Sequence, residues 1–293
     1  MSRTPRFGHV LEYALLRGAQ GALRLLPRRV ALILGAASGR ILYHLRLRRH
    51  VVEVNLAHVG KWDGPTMRRI ARRVYEQSGR YAVDFLRGGT RQPPVRIVNE
   101  EVVAELLSRG KGIIAIVAHF GNWELLARVF GPRLPELAVV ARRMKNPLFH
   151  RWLFHRRRGA QVQVINSNRA VRPCLRVLGR NGAVALLIDQ YSGRNGNAIP
   201  FLGKPANTLR AVAGLHLHTG CALLPVYAIM QSDGTYEAVL RELPPPSVKG
   251  RSREEAVPAI QEAHNRAVSE WILKYPEHYF GWFHKRYKRK APY

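Results

Sequence analysis

Between residues 112 and 241 this chain alternates short, continuous apolar runs with helical stretches, and that alternation restricts its fold more than any other feature. Runs at 112–118, 137–142, 161–165, 183–188, 222–230 and 236–241 are rich in Val, Ile, Leu and Ala and read as buried strands. Helices are expected from Trp123 onward and over 147–158, 170–179, 209–219 and 253–275. Strands that alternate with helices imply an α/β fold with a mostly parallel central sheet flanked by helices. A half-exposed antiparallel sheet would show apolar and polar residues in strict alternation, and these runs do not. A length of 293 residues suits one large α/β domain, or such a core with a helical extension.

The extension is expected at the N-terminus. Residues 8–50 and 64–87 have helical character, with Ala71, Val74, Tyr75, Ser78, Tyr81 and Phe85 at helical spacing. Gly88-Gly89 and Pro93-Pro94 then break the chain, dividing a helical, membrane-associating region at 1–90 from an α/β core with C-terminal helix and basic tail at 91–293. Pro244-Pro245-Pro246 links the last strand to the last helix. Residues 7–45 are apolar but interrupted by Glu12, Arg17, Arg24, Arg28, Arg29 and Arg40. No uncharged run approaches the roughly 18–20 residues of a spanning helix. No secretory signal is expected either, because the order of basic, apolar and small-residue segments is missing. Two readings of the Arg-rich helices around Pro27 stand side by side: an anchor lying on a membrane surface, or a helical cap packed on the core.

The formal charge is +29, from 48 Lys and Arg against 19 Asp and Glu. Such an excess calls for an anionic partner: nucleic acid, an anionic membrane leaflet or an anionic substrate. Cys174 and Cys221 have no metal-ligand or redox spacing and read as buried small apolar residues in a reducing environment.

Ligands of open α/β sheets gather beyond the carboxyl ends of the strands. The first strong strand ends in Ala118-His119-Phe120-Gly121-Asn122-Trp123-Glu124, with His119 just past its end and Asn122 placed to cap the next helix. Glu124 falls in the first helical turn, where folding back would bring it to the imidazole. A carboxylate there fixes the tautomer and raises the basicity of a histidine that deprotonates a hydroxyl. Each residue also has a plainer reading: His119 as a satisfied core histidine, Glu124 as a charge favoured by the helix dipole.

The His119-x4-Glu124 block resembles the signature of the late acyltransferases of lipid A biosynthesis, the lauroyl and myristoyl transferase family within the wider glycerolipid acyltransferase group. Asn55-Leu56, Asp189-Gln190, the segment from Phe201 through Gly203 to Thr208, and the tail from Pro276 through Tyr279, Trp282 and His284 to Arg286 are similar to further blocks of that family, in the same order. The tail differs by an extra residue between Tyr279 and Trp282, and Lys285 and Leu202 stand where the family has Arg and Phe.

The resemblance implies transfer of a fatty acyl group from a thioester, on acyl carrier protein or coenzyme A, to a hydroxyl of a glycolipid. His119 would act as base and Glu124 would orient and charge-balance it, with no cofactor beyond the thioester co-substrate. Backbone N–H groups near Gly121 and Asn122, or a nearby Arg, would receive the oxyanion. Asn122, Arg156, Arg158, Asp189, Gln190, Gly203 and Thr208 are the expected substrate-binding residues. For several the alternatives remain: Arg156 and Arg158 as a solvated helix end, Asp189 as a group that orders Arg or His neighbours, Thr208 as a helix cap. The acceptor implied first is a lipid A precursor; a phosphatidylinositol mannoside is the other.

No metal or nucleotide site is expected: there is no phosphate-binding glycine loop, 193–196 reads as a turn, and His216 and His218 fall on different helix faces. A nucleic-acid-binding protein would explain the Arg-rich 68–73 and the basic, aromatic tail 285–290, but no such motif accompanies them. A phosphorylated lipid, an anionic membrane surface and an acidic carrier account for the same charge. The expected location is the cytoplasmic face of the inner membrane, peripheral or shallowly inserted.

Overall fold

The structure is a computed structural model that describes residues 4–88, 92–191, 193, 196–248, 250–288 and 291–293. Gly89 of the expected glycine break, Arg194 and Asn195 of the expected turn, and Arg289 and Lys290 of the basic tail lie outside the described residues.

Four helices open the chain: α1 (Phe7–Leu25), α2 (Arg28–His44), α3 (Arg49–Val59) and α4 (Gly64–Arg87). Pro27, which lacks an N–H and resists helical conformation before it, separates α1 from α2. Asp63 caps α4 by accepting from the Thr66 N–H at 2.9 Å. α2 and α4 pack closely, because Gly35, Gly39 and Gly79 let the two backbones meet; a Cβ at any of them would strike the facing main chain.

The remainder runs β1 (Val95–Val98), α5 (Glu101–Ser108), β2 (Ile113–Val117), α6 (Trp123–Phe130), β3 (Leu137–Ala141), α7 (Pro147–Gly159), β4 (Val162–Asn166), α8 (Val171–Gly179), β5 (Ala183–Leu187), β6 (Gly196–Phe201), β7 (Lys204–Leu209), α9 (Ala211–Thr219), β8 (Ala222–Met230), β9 (Tyr236–Leu240) and α10 (Arg253–Lys274). Seven strands form one sheet in the order β1-β9-β8-β2-β5-β3-β4, parallel throughout except for β8 against β9. This is the expected mostly parallel sheet with helices on both faces. Buried residues of α2 to α4, among them Leu32, Tyr43, Leu56, Val74, Tyr75 and Tyr81, join the same two core layers as the strands.

β1 and α5 were not expected. β1 is a four-residue, half-buried edge strand, too short to show a period. β6 and β7 form a separate antiparallel hairpin where the pattern pointed to a loop. Its turn, Leu202-Gly203, holds both residues at positive φ (52° and 78°), as a two-residue hairpin connection requires.

Outward from the core, α1 and α2 expose Phe7, Leu11, Leu15, Ile33 and Ile41. Among the described residues no single helix is long and apolar enough to cross a membrane; α2 and α3 together pass that test by length and composition, bent by 85°. Cys174 and Cys221 are both buried and free.

Candidate active site

Sheet register builds the centre of the site. Parallel β2 and β5 pair residue for residue at an offset of 70, from Ile113 beside Ala183 to Val117 beside Leu187. The Ile188 N–H extends the ladder by donating to the Val117 carbonyl at 3.0 Å. Two residues past each strand the same offset sets His119 level with Asp189, and His119 Nδ1 lies 2.9 Å from Asp189 Oδ1. Gly121 then turns the chain at φ +63°, so close to the Ala228 carbonyl that any side chain would collide with it. Asn122 caps α6, its Oδ1 accepting from the Leu125 N–H at 3.0 Å.

The expected carboxylate partner of His119 is therefore corrected. Glu124 points to Arg157, which it engages through both carboxylate oxygens. It is Asp189, on the adjacent strand, that holds the imidazole. With Asp189 accepting, the neutral ring carries its proton on Nδ1 and turns the Nε2 lone pair outward. The exposed Gln190 amide meets that nitrogen at 3.2 Å, and the Trp123 indole stands edge-on at 4.9 Å between ring centroids.

Electrostatics favour a strong base. Burial by itself would lower the imidazole, but the charge and hydrogen bond of Asp189, with a smaller contribution from Glu124, outweigh it and raise His119 above its ordinary value. Burial pushes Asp189 upward in turn, and His119 and Arg286 together bring it below the usual carboxylate range. Arg286 is almost wholly buried behind this pair. It donates to the carbonyls of Gln190 at 2.6 Å and Asn207 at 2.5 Å and to Thr208 Oγ1 at 3.1 Å. Asn55 secures the same tail by donating to the carbonyls of Trp282 at 2.8 Å and His284 at 2.9 Å.

Several expected substrate contacts make bonds within the protein. The Gly121 N–H donates to the His278 carbonyl at 2.8 Å and the Asn122 N–H to the Ala228 carbonyl at 2.7 Å, so neither is free for an oxyanion. The Asn122 amide is engaged by its cap and by Tyr236, whose hydroxyl in turn donates to Asp84 at 2.8 Å. Thr208 is fully buried in β7, donating to the Ala206 carbonyl and accepting from Asn265 and Arg286, and is not the helix cap. Gly203 serves the hairpin turn. Arg158 is exposed, its guanidinium 6.0 Å from the Phe154 ring centroid. Arg156 faces inward, its guanidinium 5.1 Å from the Phe85 ring centroid and 4.7 Å from that of Trp152. Asp189 is buried against His119, and the exposed Gln190 amide meets the other ring nitrogen.

Arg157, Arg286 and Trp123 went unselected in the sequence. In a run of three arginines one residue changes the helix face by about 100°, so only a packed neighbour tells which of them turns inward. Arg286 could have been found from its place in the same tail as Tyr279 and Trp282, which are themselves buried.

Beside the imidazole a groove of about 920 Å³ opens between α1, α2 and α4. Gln190, Phe280 and His284 form its inner end, and Leu23, Leu42 and Leu86 are among its mainly apolar walls. A smaller apolar cavity of about 90 Å³ lies between α6 and the sheet, with Trp123, Glu124 and Arg157 at one side.

A parallel sheet with an Asp-held histidine at its carboxyl edge, next to a long apolar groove, defines a histidine-centred site suited to a lipid chain. Over residues 2–289 the chain matches the bacterial lipid A biosynthesis acyltransferase family, and it belongs to that family. It is 28% identical over 145 residues to the phosphatidylinositol mannoside acyltransferase of Mycolicibacterium smegmatis, covering 47% of this chain and 46% of that one. To the lipid A biosynthesis lauroyltransferase of Escherichia coli it is 26% identical over 203 residues, 66% of this chain and 62% of that one. The matched stretches thus span about half to three-fifths of these curated relatives.

Proposed function

We propose that this protein transfers a fatty acyl group from an acyl thioester to a hydroxyl of a glycolipid, with His119 as general base and Asp189 orienting it. The observation that carries this reading is the His119 Nδ1–Asp189 Oδ1 contact at 2.9 Å, beside an apolar groove of about 920 Å³. The acceptor hydroxyl displaces the Gln190 amide and gives its proton to His119 Nε2 as its oxygen attacks the thioester carbonyl. The tetrahedral intermediate then expels the thiolate, the C–S bond breaks, and His119 returns the proton to sulfur. Ester and thiol are the products, and the cycle uses no cofactor beyond the thioester. With the Gly121 and Asn122 N–H groups occupied, the Arg157 guanidinium and the Gln190 amide are donors for the oxyanion. Glu124 acts through Arg157, fixing its position, and through its charge on the imidazole.

A lipid A precursor is the acceptor favoured by the family; a phosphatidylinositol mannoside is favoured by the mycobacterial relatives. The donor is a thioester of acyl carrier protein or coenzyme A, to both of which a +29 chain is complementary. Exposed apolar residues among the arginines of α1 and α2 support a seat on the anionic cytoplasmic face of the inner membrane. The test is mass spectrometry of each acceptor after incubation with protein and acyl donors. One added acyl mass, lost in His119→Ala, is the expected result. No gain on either acceptor, with active control enzymes, would overturn the choice of acceptors; gain that persists in His119→Ala would overturn the base.

A further inference from the structure

A relay of hydrogen bonds runs from α2 to the turn that follows His119. Its members come from separate elements: Arg28 opens α2, Asp84 lies in α4, Tyr236 opens β9 and Asn122 caps α6. Arg28 grips Asp84 through Nε and Nη2, at 2.9 and 2.7 Å, and its Nη2 also donates to the Gly234 carbonyl at 2.7 Å. The Tyr236 hydroxyl donates to Asp84 Oδ2 at 2.8 Å and accepts from Asn122 Nδ2 at 3.1 Å. Asn122 Oδ1 then accepts the Leu125 N–H at 3.0 Å, inside the first turn of α6.

Each group in this relay has one workable role. A carboxylate only accepts, so the hydroxyl must donate to Asp84 and is left to accept from Asn122. The amide cannot flip, because its nitrogen would then face the Leu125 N–H. Burial, and after it the charge of Asp84, push the Tyr236 phenol well above its ordinary value, so the hydroxyl keeps the proton it donates. A helix cap needs only the side-chain oxygen of Asn122. An ion pair taken out of water returns little net stability against apolar packing. The three residues behind the cap therefore add orientation more than stability.

The capped turn presents the reacting side of the site. Trp123 stands against the imidazole and Glu124 holds Arg157, both within one turn of the cap. α2 and α4 also wall the apolar groove, through Leu34 and Leu42 on one and Ala82 and Val83 on the other. One packed pair of helices thus sets both the groove and the turn.

We propose that Tyr236 and Asp84 are positioning residues of the transfer: through Asn122 they fix the start of α6, and with it Trp123 and the Glu124–Arg157 pair, relative to His119. This rests on the function proposed above.

Two variants of the full chain cut the relay at its central bond. Tyr236→Phe removes the hydroxyl and keeps the ring; Asn122→Ser keeps a capping oxygen but is too short to reach Tyr236. In each, amide hydrogen exchange at Leu125 should rise about tenfold as the turn opens locally. The same variants should lose about tenfold in kcat with KM unchanged, since even a displacement of about 1 Å is costly to a reacting geometry. The double variant should lose no more than the worse single one, because both cut one link. Tyr287→Phe removes a different buried hydroxyl, which donates to the Phe201 carbonyl at 2.8 Å, and should leave Leu125 exchange and kcat unchanged. Melting curves identify the folded variants; should Tyr236→Phe not fold, Asn122→Ser decides. Unchanged kcat, a change confined to KM, or losses that multiply in the double variant would overturn the positioning role. Unchanged exchange at Leu125 would overturn the route through α6. A wild type that transfers no acyl group would remove the function, while raised exchange in both variants would still establish the hold on the turn.

Discussion

At His119 the buried charges are paired, whereas at Arg156 they accumulate. The imidazole faces Asp189, Asp189 lies in front of Arg286, and the two Nη groups of Arg286 donate to two carbonyls and a hydroxyl. Across α6, Arg24, Arg128 and Arg156 crowd around Gly88 while the nearby carboxylates are bound to other arginines. The first region is set by two strands in register, the second by the ends and faces of separate helices. A histidine held by a carboxylate suits chemistry that moves one proton, whereas guanidinium groups crowded by burial carry a cost of like charge.

The sharpest test of the paired side is His119→Ala, which should lower kcat/KM about 10⁴-fold, at the upper end of general-base contributions, with little change in melting temperature. A loss below tenfold would mean that the pairing is structural. Acid should strain the same side next. Burial, and then Arg80, hold His278 down at about 4; burial, and then Arg286, hold His264 at about 3. Unfolded, both bind a proton near 6.5, so stability falls as pH drops from about 6.5 toward these values. The drop is about 3 kcal/mol for His278, readable by denaturant melts between pH 7 and 4, and His278→Gln should flatten it. A variant with unchanged slope would place the acid sensitivity elsewhere.

Asp189→Asn tests the pairing itself. A rate loss of roughly 10²-fold is expected from removing the orienting charge. Because Asp189 raises the imidazole, the acidic limb of the pH–rate profile should also move to lower pH. A limb that stays in place would assign the titration to another group. The smallest effect belongs to Arg158→Ala: within about twofold in rate, since an exposed helix-end charge contributes little. A larger loss would bring Arg158 back as a ligand contact and blur the contrast with Arg156.

The central strands were readable because a strand buried on both faces must be continuously apolar, and 112–118, 183–188 and 222–230 contain no other pattern. His119 was readable because it follows such a strand and precedes an N-cap. β1 and the β6–β7 hairpin were not: one is four residues long, the other carries Pro200, Pro205 and polar residues in a two-stranded arm outside the main sheet. Glu124 was matched to His119 by chain proximity, yet the structure joins the imidazole to a residue 70 positions away.

By itself, then, the amino-acid order determined the periodic and the local: which continuous apolar runs form the central strands, and that Asn122 caps the helix after β2. Hydrogen bonding and burial within a short window decide these. Tertiary structure alone decided which carboxylate meets His119, which of Arg156, Arg157 and Arg158 turns inward, and that Arg24, Arg128 and Arg156 meet at Gly88. Each of these depends on strand register or helix packing between distant segments, and a shift of one residue or one helix face would have chosen differently.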